Sequence, residues 1–536
     1  MQTATSDSAT VVLEGQAIAK GQLLLHGWNL TFASYWTSSA AFDAVAIVVN
    51  DLRAGLMYAI PAFAGALAIL GGVLVAREGQ RRPPDFAAWV TVVVLLAFAT
   101  PAMAFFFVGH GFHVGTSAYA LFAFVALRRG RFGWGWALAI LLLSAGLLGD
   151  LLMLAYAVVP LIIAGLIEIF RGQRRQVGVA TLTAAVASIS ASVAARLVFV
   201  ALGTYKAASG LRFARFDQMV TNLGHVPVYV ASLLGLSNAV VTSGGVPAPL
   251  RNLRGVDVVT AAAALCVLAC SSFALVSLVL GLARGYPHRR GLEGETTAPW
   301  RTDNLLVIAV ICSAVPFVLL AGARGAGIRY LTVTVIFAVV LAGRMIGRAL
   351  SKLRSGWRFG VLTTAGMALA LGLAASFGVA MSGPTLSNPT TELVAWLETH
   401  DLHYGIGGYW VASITTVESG GEVTVRPVLN FDGDQIERAG LASASWYADN
   451  HFQFLVEGAP PGYIGIRGVP AFWGRPAHLY VVGRYRILIW SHELSVPSVQ
   501  VTTDTHTSML SGVHSSLNSH RGPGPNEAAK SFGLDN

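Results

Sequence analysis

From Leu56 to Met381 the chain is a succession of long apolar runs, and no other feature constrains its fold as tightly. Runs near 56–76, 86–108, 151–170, 178–203, 257–283, 304–322, 328–347 and 359–381 reach the length of about 20 residues that crosses roughly 30 Å of hydrocarbon. Two shorter runs, 113–127 and 134–148, predict tight spans inside a bundle. Only 12% of the residues are charged, about half the share found in soluble proteins. Most of this chain is therefore solvated by lipid. The expected fold is mainly α: a polytopic membrane helical bundle of about ten spans over residues 54–381.

The chain carries 36 Lys and Arg against 27 Asp and Glu. In a soluble protein that excess would point to nucleic acid. Here the basic residues sit in short loops between apolar runs, where they set topology, so nucleic-acid binding is not expected. Loops 77–85, 128–133, 171–177, 284–303 and 344–358 hold 3, 3, 3, 4 and 5 basic residues, and the junctions at 109–112 and 149–150 hold none. By the positive-inside rule the first set is cytoplasmic. Residues 1–53 and everything after Met381 then lie outside a multi-pass plasma-membrane protein. A tail of this kind rarely crosses a membrane unaided, which predicts one further apolar helix ahead of Met1. Cys266, Cys270 and Cys312 all fall in apolar runs, so neither a disulfide framework nor a thiolate metal site is implied.

After Met381 the composition changes. Asn388-Pro389 opens an amphipathic helix with Leu393, Trp396 and Leu397 on one face. Val423–Leu429, Phe452–Val456 and Leu479–Trp490 have strand composition. Residues 382–494 thus predict a small extracytoplasmic α/β domain, and 495–536, rich in Ser, Thr, His, Gly and Pro, a disordered tail.

Carboxylates are scarce. Of the 27, 14 lie in the C-terminal region and six at or near cytoplasmic loops, which leaves Asp7, Glu14, Asp43, Asp51, Asp150, Asp217 and Asp257 on the outer side. Asp7 and Glu14 are two helical turns apart and so share a face. A carboxylate at an apolar edge can serve as a general base or hold a divalent cation; the plainer role is an N-cap, Ser6 or Asp7, on a surface helix that Gly21 ends. Asp150, in Leu-Leu-Gly-Asp-Leu-Leu, is costly between two spans unless paired; helix capping is its competing role. Arg324, Arg329 and Tyr330 occupy an outer loop and the start of the next span, and Arg forks bind phosphate. His26 and Trp28 lie just past the acidic helix, where aromatic rings either anchor the chain at the headgroups or stack on sugars. His110 and His113 have a spacing open to metal, but with no third ligand in the sequence they read as structural. Gly-Ile-Gly-Gly at 405–408 lacks the strand–loop–helix setting of a nucleotide fingerprint.

Three segments carry a resemblance. Ser6-Asp7-Ser8-Ala9 through Glu14-Gly15-Gln16-Ala17 to Leu25-His26-Gly27-Trp28 resembles the first outer loop of the GT-C membrane glycosyltransferases, which include protein O-mannosyltransferases and the lipid A aminoarabinose transferase. Arg329-Tyr330-Leu331 is similar to an element that opens a later span in that superfamily, and Tyr404-Gly405 through Tyr409-Trp410-Val411-Ala412-Ser413 to its outer domains. The resemblance implies a polyprenyl-phosphate sugar donor. It makes Asp7 the catalytic base or cation contact, Glu14 a secondary acid and Arg329 a ligand of the donor phosphate. The chain departs from the pattern near Trp36, where Ala33, Ser38 and Ser39 stand in place of a further acid. Two other classes compete. A transporter or flippase would show matching halves with interrupted spans, and no repeated halves are visible. A non-catalytic scaffold would use the outer domain to bind partners.

Overall fold

The computed structural model describes residues 5–77, 86–97, 101–109, 112–129, 132–172, 175–207, 212–234, 255–283, 298–321, 326–351, 356, 360, 364, 389–432, 435–438, 441–448, 451–459, 466 and 469–496. It is mainly helical, with a small sheet region at the C-terminal end. Among the described residues six helices are long and apolar enough to cross a membrane: Leu56–Ala76, Leu154–Arg171, Arg175–Ala201, Ala262–Leu280, Thr302–Leu319 and Gly327–Leu350. Ala87–Leu96, His113–Ala126 and Trp134–Gly149 are shorter apolar helices. Within the run expected at 86–108 the described helices are Phe86–Ala97 and Pro101–Val108. Most of the span expected at 359–381, and the tail beyond 496, lie outside the described residues.

The acidic segment forms helix α1, Ser6–Ala19. Its N-cap is Thr5, whose hydroxyl accepts the Ser8 N–H; Ser6 and Asp7 are therefore the first helical residues and not the cap. Asp7 in the first turn faces the positive end of the helix dipole, which favours its charge. Gly21, at φ +94°, follows the last turn, in the left-handed region that glycine enters without a steric penalty. The expected surface helix proves to be an inner one, since every residue from Ser8 to Gly15 is buried. Small side chains permit this. A Cβ on Gly15 would stand 2.5 Å from the Asp43 Cβ, so α1 crosses helix α2, Ala41–Asn50, in backbone contact.

Strand β1, Trp28–Leu30, follows α1, and a π turn at Trp36–Ala40 leads into α2. The β1 strand pairs in parallel with β2, Lys206–Ala207, and antiparallel with a short strand at Ala442–Ser443. The segment around β1 is thereby stitched to both the bundle and the C-terminal domain. Ala9, Val12, Leu13, Trp28, Met57, Ile414 and Val417 share one apolar cluster that joins all three.

In the C-terminal domain the helix Pro389–Thr399 buries Leu393 and Leu397. Strands Tyr404–Gly408 and Thr424–Asp432 run parallel and are joined by the helix Tyr409–Glu418. This is a strand–helix–strand unit in which the strand runs into the helix without a loop. Its glycines serve packing: a Cβ on Gly405 would lie 2.3 Å from the Phe454 ring. The expected strand at Leu479–Trp490 is a hairpin of His478–Val482 and Tyr485–Leu494, turned at Gly483 with φ +57°.

Gly15→Val is expected to lower stability by about 1–3 kcal/mol, as overpacked contacts do, because Ala40 O and Ala44 N also lie 3.0 Å from the added Cβ. Gly55→Ala, with open space around it, leaves stability unchanged. Melting temperatures of the purified protein in detergent compare the two; equal losses would contradict this account of the α1–α2 crossing.

Candidate functional site

Asp7 is 22% exposed and meets two side chains from distant parts of the chain. The Tyr409 hydroxyl, at the start of the C-terminal-domain helix Tyr409–Glu418, donates to Asp7 Oδ1 at 2.5 Å. Arg329 Nη1 stands 3.7 Å from Asp7 Oδ2, at the end of the 3₁₀ turn Ala326–Tyr330 that enters helix Leu331–Ser351. Burial, then the charge of Asp7, raises the Tyr409 hydroxyl well above its ordinary range. It therefore stays protonated and keeps donating. The Arg329 guanidinium also lies over the Tyr330 ring, 5.5 Å from its centroid, and its buried Nε has no hydrogen-bond partner among the described residues.

These residues line a cavity of about 90 Å³ whose wall includes Asp7, Glu14, Tyr35, His113, Arg329 and Tyr330, with Val11, Leu30, Phe32 and Leu441 as its apolar part. That volume suits a phosphate group. It is smaller than the roughly 300–1,000 Å³ of ordinary ligand clefts, so a larger ligand must extend beyond it.

Four of the eight residues singled out in the sequence converge here: Asp7, Glu14, Arg329 and Tyr330. Asp150 stands one layer behind. It is fully buried, accepts His113 Nδ1 and Thr116 Oγ1 at 2.8 Å each on Oδ2, and takes the Leu152 N–H at 3.0 Å on Oδ1. It reaches the cavity only through His113. The structure does not bring His26 or Trp28 to the cavity. His26 is exposed beside Gly203, and Trp28 is 1% exposed, its ring edge-on to Trp446 at 4.9 Å. The Trp28 indole is core packing that fastens the segment after α1 to the C-terminal domain, and no sugar can stack on it. Arg324 and His110 lie outside the described residues.

His113 and Tyr35 line the cavity and Tyr409 contacts Asp7, although no local pattern singles them out: His113 beside His110 reads as structural, and Tyr409 stands only as part of a motif. One signal was available, a histidine and an aspartate both stranded in apolar surroundings, each needing the other.

Glu14 and Asp43 form a second buried acidic pair. Burial, then the nearby Asp43 carboxylate, raises Glu14 well above the usual carboxylate range, and burial does the same to Asp43. Glu14 Oε2 and Asp43 Oδ1 have no hydrogen-bond partner among the described residues. A divalent cation would require several oxygen ligands in one place. Among the described residues no three His, Cys, Asp or Glu side chains converge, and Asp7 already faces a guanidinium. These side chains alone do not make a cation cage. The chain matches no protein-family model and no curated protein.

A carboxyl whose pKa is raised in the fold holds its proton where the unfolded chain has lost it. Stability therefore falls as pH climbs above about 4.5 toward the folded value. Glu14→Gln removes that penalty. Its melting temperature relative to the native protein is expected to rise with pH above 4.5 and to show no such gain below it. A difference independent of pH would contradict the buried-acid assignment.

Proposed function

We propose that this protein is a membrane glycosyltransferase that moves a sugar from a polyprenyl-phosphate carrier to an acceptor hydroxyl, with inversion at the anomeric carbon. In this reading the bundle has about ten spans, the basic loops face the cytoplasm, and α1 and the C-terminal domain lie on the outer face of the plasma membrane. The observation that carries the proposal is the pairing of Asp7 with Arg329 across one cavity. A base and a phosphate-binding fork stand within 4 Å of each other, at the end of an apolar bundle where a lipid-borne phosphate can arrive.

The acceptor oxygen attacks the anomeric carbon and gives its proton to Asp7. The bond from that carbon to the phosphate oxygen breaks, and the charge that grows on the phosphate meets Arg329. Fixed positive charge aimed at developing negative charge lowers the barrier more than it tightens ground-state binding. Arg329 is suited to this because its Nε is left unsatisfied and it lies too far from Asp7 for a hydrogen bond. Tyr409 holds the carboxylate in place, so the outer domain contributes to the geometry of the base. Glu14, kept neutral by burial, lines the same wall as a secondary acid.

Asp7→Asn keeps the side chain's shape and the Tyr409 contact but removes the base. Transfer from a polyprenyl-phosphate sugar in proteoliposomes is expected to fall by about 10²–10⁴-fold, the usual worth of a general base, with the protein still expressed and folded. Turnover at the native rate by this variant would refute the assignment.

A further inference from the structure

His113 and Asp150 are 37 residues apart in sequence and meet in the interior. Asp150 has both oxygens occupied by donors: an imidazole N–H, a hydroxyl and a backbone N–H. A fully buried carboxylate needs such compensation. The contact also fixes the imidazole, because Nδ1 must carry the proton that Asp150 accepts. The other nitrogen, Nε2, then faces outward and lies 3.3 Å from the Tyr35 hydroxyl. Both His113 and Tyr35 line the cavity that holds Asp7 and Arg329.

Tyr35 is held there at a conformational cost. Its backbone adopts φ +52°, a left-handed conformation that bulky residues avoid. Its N–H donates to Gly149 O at 2.7 Å, and its carbonyl accepts the N–H groups of Ser38, Ser39 and Ala40. Gly149 directly precedes Asp150, so one short stretch fixes the carboxylate and the tyrosine together. Strain of this kind persists where the surroundings over-determine it, and it concentrates at functional positions. Burial, then the nearby Asp150, raises the Tyr35 hydroxyl well above its ordinary range. Tyr35 therefore remains a neutral phenol, able to accept one hydrogen bond while donating another.

The geometry points to His113, oriented by Asp150 and acting through Tyr35, as the general acid that protonates the phosphate oxygen as it leaves the sugar. This rests on the glycosyl-transfer reading above and names the proton donor which that reading lacks. In the transfer step the acceptor oxygen bonds to the anomeric carbon and its proton goes to Asp7. The carbon–oxygen bond to phosphate breaks with its electron pair on the phosphate oxygen. That oxygen takes the Tyr35 hydroxyl proton as Tyr35 takes one from Nε2 of the imidazolium. His113 ends neutral and the lipid phosphate leaves singly protonated. Exchange with water then returns a proton to His113 and removes one from Asp7. His113 and Arg329 both approach the Tyr330 ring, at 5.3 Å and 5.5 Å. The titratable and charged groups that face His113 are Asp150, Tyr35, Tyr156 and Tyr330, with Arg329 and Asp7 across the cavity.

The test is the pH dependence of polyprenyl-phosphate release in proteoliposomes, with polyprenyl-phosphate mannose, glucose and arabinose as donors. The native enzyme is expected to lose kcat at high pH. His113→Gln and Tyr35→Phe lower kcat by about 100-fold, leave KM within a few-fold and abolish that high-pH limb. Asp150→Asn moves the limb, because the orienting charge is gone. Should His113→Gln fail to fold, by melting temperature, Tyr35→Phe decides alone. Either variant with native kcat and the native high-pH limb overturns this inference, even where Asp7→Asn is inactive. No release by the native protein from any of the three donors overturns the glycosyl-transfer reading and this inference with it.

Discussion

The structure depends on how the charge of Asp7 is accommodated. A carboxylate on a helix that is buried from Ser8 to Gly15 and packed against an apolar bundle is costly unless it finds partners. It finds a guanidinium from the start of one bundle helix and a phenol from the C-terminal domain. Neither partner lies near Asp7 in sequence, so satisfying this one charge draws the bundle and the C-terminal domain together around α1. The apolar cluster under Trp28 and the three-stranded sheet around β1 secure the same junction by burial and backbone pairing.

The cavity follows from that junction. Its floor is α1, and its walls come from the loop at Tyr35, the short apolar helix carrying His113, and the turn at Arg329. At the far end of the helix that begins at Leu331, Arg344 donates from Nε to Asp303 at 2.7 Å, and Arg348 pairs with the same carboxylate. Thirteen residues of helix at about 1.5 Å each separate Leu331 from Arg344, roughly 20 Å. The helix is therefore pinned by ion pairs at both ends, and Arg329 is delivered to the cavity from a fixed base. The acidic groups in and behind the cavity are treated unequally. Asp7 and Asp150 are compensated, whereas burial holds Glu14 and Asp43 toward their neutral forms.

Much of this fold is legible in the sequence because hydrocarbon imposes a simple length rule. The runs at 56–76 and 328–347 became long helices for that reason, as did the amphipathic helix at Pro389. Gly21 marked the end of α1 through its conformational freedom alone. Asp7, Glu14, Arg329 and Tyr330 were recoverable because charged groups next to apolar runs are few. The remainder depended on contacts that no local pattern encodes. Trp28 looks the same in sequence whether it faces a sugar or Trp446. The link from His113 to Asp150 spans a whole helical hairpin, and Tyr409 reaches Asp7 across 402 residues. The hairpin at Gly483 read as one strand because both of its arms have strand composition and only a single glycine divides them.

The most direct test of the Asp7 junction is a double-mutant cycle on Asp7→Asn and Arg329→Gln, read as unfolding free energy in detergent. If the pair ties the bundle to α1, the two losses are non-additive, with a coupling of about 0.5–3 kcal/mol, and the double variant is more stable than the sum of the singles implies. Additive losses would mean that the two side chains do not sense each other, and the account of this junction would fail.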